Sequence, residues 1–343
     1  MKLVVTVDVE EDQWGITPPR YATALNVRRL PTLQKLLHEF GSIPTYLLTY
    51  PVVSDRRAVA ILREILDEGG CEIGMHCHPW TTPPYEERLN NYNSMLCNLP
   101  AALQFEKLQR LHEAIQHNFE ITPTAFRSGR WGFDQEVAKN VLRLGYRIDT
   151  SITPYTSWAQ CDGPDFSRFS PRLCEFTASP VTGEVLGDSL VELPATIGYL
   201  HGEFETCARL ARSLGRTPFR QLKVGGILSK LQMLHKVWLS PEMETPIHMM
   251  QLVRQMIRQG YEVLNLVFHS TALMKGCSPF IRTKADEQLF LENLRRFLGL
   301  VKEEGVACVS LSEAARLPLT RSAELTSMCA SPSVLSTLDA GSA

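Results

Sequence analysis

No stretch of the chain approaches the roughly 18 apolar residues needed to cross a bilayer. No secretion leader is expected either, because "MKLVVTVD" reaches Asp8 before an apolar core of sufficient length has formed. Nor is there a surplus of one charge, since 35 Lys and Arg stand against 37 Asp and Glu. That balance provides no whole-molecule field for gripping a nucleic acid, and no such partner is expected. Cysteines are present without pattern: the nine thiols show no CxxC pair and no regular spacing. Such a set reads as reduced thiols buried as small hydrophobes. These absences lead to the expectation of a cytoplasmic protein. No internal repeat is found, and 343 residues at 44% hydrophobic composition suffice for one large globular domain or two ordinary ones.

What is present is a rhythm of short β-branched runs that stop at polar residues. Strands are expected at "KLVVTVD" (2–8), "PTYLLT" (44–49), "CEIGMH" (71–76), "TAFRS" (124–128), "YRIDTS" (146–151), "SLVELP" (189–194), "EVLNLVFH" (262–269) and "VACVSL" (306–311). Between them Leu30, Leu33, Leu36, Leu37 and Phe40 recur at helical spacing, as do Ala58, Ile61, Leu62, Ile65 and Leu66. Further helices are expected at 105–119 and 286–303. Such alternation implies a parallel sheet, open or closed into a barrel, whose ligands bind beyond the carboxyl ends of the strands. Asp8, His76, Arg127, Asp149 and His269 all lie at those ends. Two segments break the rhythm. Residues 203–240 read as a helical, basic insertion suited to an anionic membrane face or, more simply, to a solvated lid. Beyond about residue 318, a Ser-, Ala- and Thr-rich tail without period reads as disordered, leaving 1–318 as the single domain.

In "GMHCHPW" (74–80), His76 and His78 share one face of a strand while Cys77 points away. Two neutral imidazoles converging there suit zinc or another borderline divalent metal, although two hydrogen-bonded histidines would look the same. In "TVDVEED" (6–12), Asp8 and Glu10 share a face, with Glu11 and Asp12 just beyond. The natural proposal joins both histidines with one carboxylate as ligands and leaves another to take a proton from water. His269 ends an apolar strand, as either a satisfied core histidine or a general acid. Arg127 and Arg130 in "FRSGRWGFD" flank a sharp glycine turn; an arginine there could hold Asp8 ionised, and the Trp131 amide could meet an oxyanion. Trp80, Arg130, Tyr155 and Trp158 are the candidate substrate contacts.

The ordered set "TVDVEED", "HCHP", "FRSGRWG", "YRIDTS" and "VFHS", spanning residues 1 to about 315, resembles the five motifs of the NodB-homology polysaccharide deacetylases, carbohydrate esterase family 4. The strings "LVFHSTALMKGCSPF" and "HPWTTPP" look like a divergent branch of WalW type. The resemblance implies an α/β fold, a distorted (β/α) barrel, and metal-dependent removal of N-acetyl or O-acetyl groups from a polysaccharide or lipid-linked sugar. By that resemblance Asp8 matches the base, His76 and His78 the ligand histidines and His269 the general acid. Arg127 matches the residue orienting the base, and Asp149 the aspartate tuning the catalytic histidine. The implied cofactor is a divalent metal such as Zn2+, with Co2+ or Ni2+ as alternatives. Two departures stand out: Val9 replaces the usual second aspartate, and the histidines stand two apart rather than four. Glu10 is the expected replacement ligand and Asp12 the alternative. The competing readings are an allantoinase-like C–N hydrolase on the same scaffold and a catalytically silent glycan-binding protein.

Overall fold

The computed structural model describes residues 1–177, 189–214 and 234–319. Its centre is β1 (Lys2–Val9), flanked by β10 (Val263–His269) on one side. On the other side lies β2 (Thr45–Leu48), with the short β11 (Ala307–Cys308) against Lys2 and Leu3. The sheet continues through β3 (Glu72–Cys77), β4 (Ala125–Ser128), β5 (Ile148–Asp149), β7 (Ser189–Glu192) and β6 (Cys174–Thr177). Every pairing in it is parallel except β6 with β7. Helices α1 (Leu30–Glu39), α2 (Tyr50–Ser54), α3 (Arg56–Asp67), α4 (Ala101–Phe119) and α5 (Gln135–Arg143) connect its first five strands.

The sheet curls, and single backbone bonds rather than a ladder close the gap between β7 and β10. Ala195 N–H donates to the Ile152 carbonyl (3.1 Å) and Thr196 N–H to that of Asn265 (3.3 Å). Leu239 N–H donates to Thr196 O (2.8 Å) and Val267 N–H to Leu239 O (3.0 Å). The closing segments belong to a separate antiparallel pair, β8 (Ile197–Tyr199) with β9 (Lys236–Trp238). Helices α6 (Phe204–Leu214), α7 (Pro246–Arg258), α8 (Lys284–Glu303) and α9 (Leu311–Ala314) complete the described chain.

Strand parity sorts the side chains. Along β1, Leu3, Val5, Val7 and Val9 face the helices in the main core, all fully buried. Val4 belongs to a second core, with Leu47, Ala125, Ile148 and Val263, inside the curl and floored by Leu311 and Ala314 of α9. Above that floor the same inward face of β1 carries Thr6, Asp8 and then Glu10, because successive inward positions are two residues apart. Gly74 on β3 is required by close packing: a Cβ there would lie 2.6 Å from the Ala125 carbonyl of β4.

Several expectations need correction. Residues 236–238 form a strand, so 203–240 is not wholly helical; Lys236, Val237 and Trp238 alternate part-buried, buried, part-buried, a period of two that a short apolar run hides. The remainder of that basic segment, 215–233, and the tail from 320 onward lie outside the described residues. Helices α5 and α7, which the spacing did not suggest, begin at Asp134 and Thr245, whose side chains accept from Val137 N and His248 N as N-caps.

Asp149 is also reassigned. It pairs in register with Glu192, and since Ile148, Val191 and Leu193 point inward to the second core, parity turns both carboxyls outward. Asp149 accepts hydrogen bonds from Ser151 N (2.9 Å) and Ser151 Oγ (2.8 Å). Burial, then the adjacent Asp149 charge, pushes Glu192 well above the ordinary carboxyl range, so Glu192 holds its proton beside Asp149. The native state therefore keeps a proton that the unfolded chain releases above its ordinary glutamate pKa, and stability falls as pH rises past that point. In chemical denaturation at pH 5 and pH 8, Glu192→Gln should gain stability relative to wild type at the higher pH; parallel profiles would contradict a proton retained on Glu192.

Candidate active site

The inward face delivers its polar groups to one mouth. Arg127 of β4 is fully buried and spends four donor contacts inside the curl. It reaches Asp8 Oδ1 (2.6 Å), Thr6 Oγ1 (2.6 Å), Thr150 Oγ1 (2.9 Å) and the Thr150 carbonyl (3.0 Å). Asn265 of β10 completes the network by accepting from Thr6 Oγ1 (2.8 Å) and donating to Thr150 Oγ1 (2.8 Å). Burial opposes ionisation of Asp8, but Arg127, His76 and His269 together outweigh it and hold the carboxyl below its ordinary value. Oδ1 is committed to the guanidinium. Oδ2 stands 4.0 Å from His76 Nε2 and 3.8 Å from His269 Nε2.

Each histidine of the HxH pair has its Nδ1 engaged. His76 Nδ1 lies 3.0 Å from the Arg127 carbonyl, which can only accept, so Nδ1 carries the proton and Nε2 the lone pair. His78 Nδ1 is 2.9 Å from Glu11 Oε1; burial opposes its charge, but Glu11, Glu10 and Asp8 raise His78, so a cation bound at Nε2 would have to displace a proton there. Both Nε2 atoms face Glu10 Oε2, at 4.0 and 3.5 Å. Donors bound to one tetrahedral ion at about 2.0–2.1 Å stand about 3.3 Å apart, so a modest contraction would complete a site. The ligand atoms of Glu10, His76 and His78 all lie within 4.8 Å of one another, and the donor set fits a borderline divalent cation. Burial pushes His76 down to about 3, which keeps its imidazole neutral, as a ligand must be. Burial, with Glu11 and Asp8 nearby, lifts Glu10 to about 7 against the pull of His269 and His78.

Asp12 does not share this site. Its Oδ2 accepts from Thr23 Oγ1 (2.7 Å) and Leu25 N (2.8 Å), its Oδ1 from Asn26 N (2.8 Å) and Asn26 Nδ2 (2.7 Å). It is a loop anchor, and Glu10 is the carboxylate that meets the histidines. The group beside His269 is Glu242, whose Oε2 lies 2.9 Å from His269 Nδ1, in the place expected for Asp149. Burial alone would lower His269, but Glu242, Glu10 and Asp8 lift it to about 10, so it stands charged with a proton on Nε2. Sequence reading missed Glu242 and the role of Glu11. Glu242 sits in an irregular "SPEMET" loop 27 residues from its partner, and no local spacing signals that contact.

These groups form the floor of a cavity of about 390 Å3. Of the five tryptophans in the chain, Trp14, Trp80, Trp131 and Trp158 line it, together with Arg130. Trp80 stacks on His78 (ring centres 4.2 Å apart), and the exposed Trp14 meets His269 edge-on (4.9 Å). Tyr155 is not a wall of the cavity; its hydroxyl donates to Glu205 Oε1 (2.9 Å) and its ring packs against Tyr199. Arg130 and Trp131 both adopt left-handed backbone, with φ of 52° and 63°. Such conformations cost on the order of 1–3 kcal/mol each for non-glycine residues and cluster at functional turns.

No family model matches the chain, and no curated protein is similar to it. Solved structures are similar in fold. A putative polysaccharide deacetylase from Mycobacterium smegmatis superposes with a TM-score of 0.53 at 18% identity, covering 92% of this chain and 88% of its own. A peptidoglycan deacetylase from Bacillus subtilis gives 0.39 at 12% identity, over 91% and 88% of the two chains. A pseudoenzyme of the CE4 family from Bacillus anthracis gives 0.43 at 12%, over 93% and 66%. The first of these establishes the architecture: a curled, mainly parallel α/β half-barrel of the NodB-type deacetylase fold. No helix among the described residues is long and apolar enough to cross a membrane.

Gly129 supports the site through its lack of a side chain, since a Cβ would lie 2.4 Å from His78 Cδ2 and 2.5 Å from the Cys77 carbonyl. Gly129→Ala should displace the His78 ring and weaken divalent-cation binding by about 10- to 100-fold, the range for losing support around a ligand. Titration calorimetry on protein with unchanged circular dichroism would show it; undiminished affinity would mean that His78 does not bind the ion.

Proposed function

We propose that the chain is a metal-dependent deacetylase that removes an N-acetyl or O-acetyl group from a polysaccharide or lipid-linked sugar. The observation that carries this reading is the convergence on Asp8 Oδ2, where a held carboxylate, a ligand-competent imidazole and a charged imidazole lie within 4.0 Å. Glu10, His76 and His78 would hold the cation; zinc, cobalt or nickel suits two imidazoles and a carboxylate. When bound, the cation supplies Lewis acidity toward the acyl carbonyl and makes water acidic at neutral pH.

The chain's own groups then divide the proton work. Asp8, kept ionised by Arg127, takes the proton from the attacking water through its uncommitted Oδ2. His269, charged and steadied by Glu242, returns a proton to the departing amine or alkoxide, so that acetate and the free sugar group leave. The oxyanion that develops is assigned to the backbone N–H of Trp131, in the left-handed turn that lines the cavity. Four indoles around one cavity supply flat apolar faces of the kind on which sugar rings stack, which supports a carbohydrate over a purely polar substrate.

The cavity volume of about 390 Å3 also suits a small ring amide, which makes an allantoinase-type C–N hydrolase the second reading. The two are separated by assaying acetate release from N-acetylated oligosaccharides beside ring opening of cyclic ureides and imides. Acetate release alone supports the deacetylase. Ring opening alone would replace it, and turnover of neither by zinc-loaded protein would refute both.

On the active substrate, Asp8→Asn and His269→Ala should each lower kcat by about 10²- to 10⁴-fold, the usual contribution of a positioned acid or base. Near-normal turnover in either would refute the role given to that residue. Glu242→Gln tests proton bookkeeping separately. A general acid works only while protonated, so activity falls as pH rises through its pKa. Removing the Glu242 charge lowers that pKa, and the alkaline limb of the kcat profile should move to lower pH. An unmoved limb would exclude His269 as the acid.

A further inference from the structure

We propose that His235, Glu244 and His248 form a second divalent-cation site, separate from the one built on Glu10, His76 and His78. The ligand atoms of the three residues all lie within 4.8 Å of one another. Their ring geometry resembles that of the first cluster. Two imidazoles bonded to one tetrahedral ion at about 2.0–2.1 Å place their ring centres about 5 Å apart. The His235 and His248 centres are separated by 5.1 Å with planes at 81°, against 4.6 Å and 65° for His76 and His78. Glu244 Oε2 is hydrogen-bonded to His248 Nδ1 at 3.0 Å, so the pair is already held together, and an arriving ion would bind with loss of the proton between them or through the other ring nitrogen.

The backbone holds all three ligands in place before any ion arrives. The His235 carbonyl accepts from Leu200 N (3.1 Å), directly ahead of β9. Glu244 N–H donates to Ser240 O (3.0 Å), and Thr245 Oγ1 caps His248 N (3.2 Å) at the start of α7. The site is also accessible: the His248 and Glu244 side chains are 29% and 13% exposed, so an ion can enter and water can complete its shell. Two imidazoles and one carboxylate select zinc, nickel, copper(II) or cobalt. Calcium and magnesium, which want several oxygens, are disfavoured.

An ion here would tie the residue directly ahead of β9 to the turn that leads into α7. Glu242, which steadies His269, lies within that turn, two residues before Glu244. The second ion is thus a fastening for the segment 240–248 rather than a second reaction centre. Its existence does not depend on the deacetylase reading.

The test is zinc stoichiometry by titration calorimetry, with zinc chloride alone, on protein first stripped by a chelator. Wild type should take up about two equivalents, and His76→Ala/His78→Ala and His235→Gln/His248→Gln about one each. Should the last variant fold poorly, Glu244→Gln replaces it and should weaken only the second binding step. Cobalt added to His76→Ala/His78→Ala protein should give ligand-field absorption bands of a low-symmetry nitrogen and oxygen site. Absence of any zinc uptake by His76→Ala/His78→Ala would overturn the proposal, as would a second equivalent that survives both His235→Gln/His248→Gln and Glu244→Gln. Acetate release is not read in this experiment, so the second site can fail while the active-site reading stands, and the reverse.

Discussion

The pairing of Arg127 with Asp8 is the constraint around which the rest is arranged. A guanidinium with no solvent exposure is tolerable only if its donors are used, and here Thr6, Asp8 and Thr150 use them. Taking away one member of such a pair typically costs about 3–5 kcal/mol, because the other is left charged and buried. The pairing also decides chemistry. It fixes one carboxylate oxygen and leaves the second uncommitted between two histidines. A carboxylate held in that way stays ionised despite its burial.

The half-barrel can house these charges because its inward face is graded from floor to mouth. Val4, Thr6, Asp8 and, just beyond the strand, Glu10 occupy successive inward positions along β1, running from an apolar floor through a hydroxyl and a salt bridge to a carboxylate that faces two imidazoles. On β4 Ala125 lies below Arg127; on β10 Val263 lies below Asn265, and Val267, in a small third core with Ala195 and Ile197, separates Asn265 from His269. The helices screen the outer face, whose core is apolar throughout β1. Wet chemistry is thereby confined to one end. The opposite end is closed by α9.

Proton placement is set by partners one step behind the reacting groups. The Arg127 carbonyl and the Glu11 carboxylate direct His76 and His78 to offer Nε2, and Glu242 charges His269. Identical imidazoles thus end in opposite charge states: burial drives His76 to about 3 and keeps it neutral, while Glu242, Glu10 and Asp8 overcome burial to lift His269 to about 10 and keep it charged. Gly129 and the left-handed turn at Arg130 and Trp131 belong to the same supporting layer, shaping space for the His78 ring and the cavity wall.

Much of the site was legible because a strand has a period of two. That period alone placed Asp8 with Glu10 and His76 with His78, and the polar endings of the apolar runs marked the mouth of the sheet. The major strands and the longest helices were equally visible, since burial imprints its period on the residues themselves. What the period could not supply was contact between distant segments. Glu242 reaches His269 from an irregular loop, Asp12 is taken by residues 23–26, and Tyr155 turns into the core. Asp149 ends a strand as the motif order suggested, yet pairing in register with Glu192 faces it outward, away from the histidines. Sequence by itself determined which groups could share a strand face, because that is local stereochemistry. Only the tertiary structure decided which faces met, because the curl of the sheet and the paths of its loops are settled by packing over the whole chain.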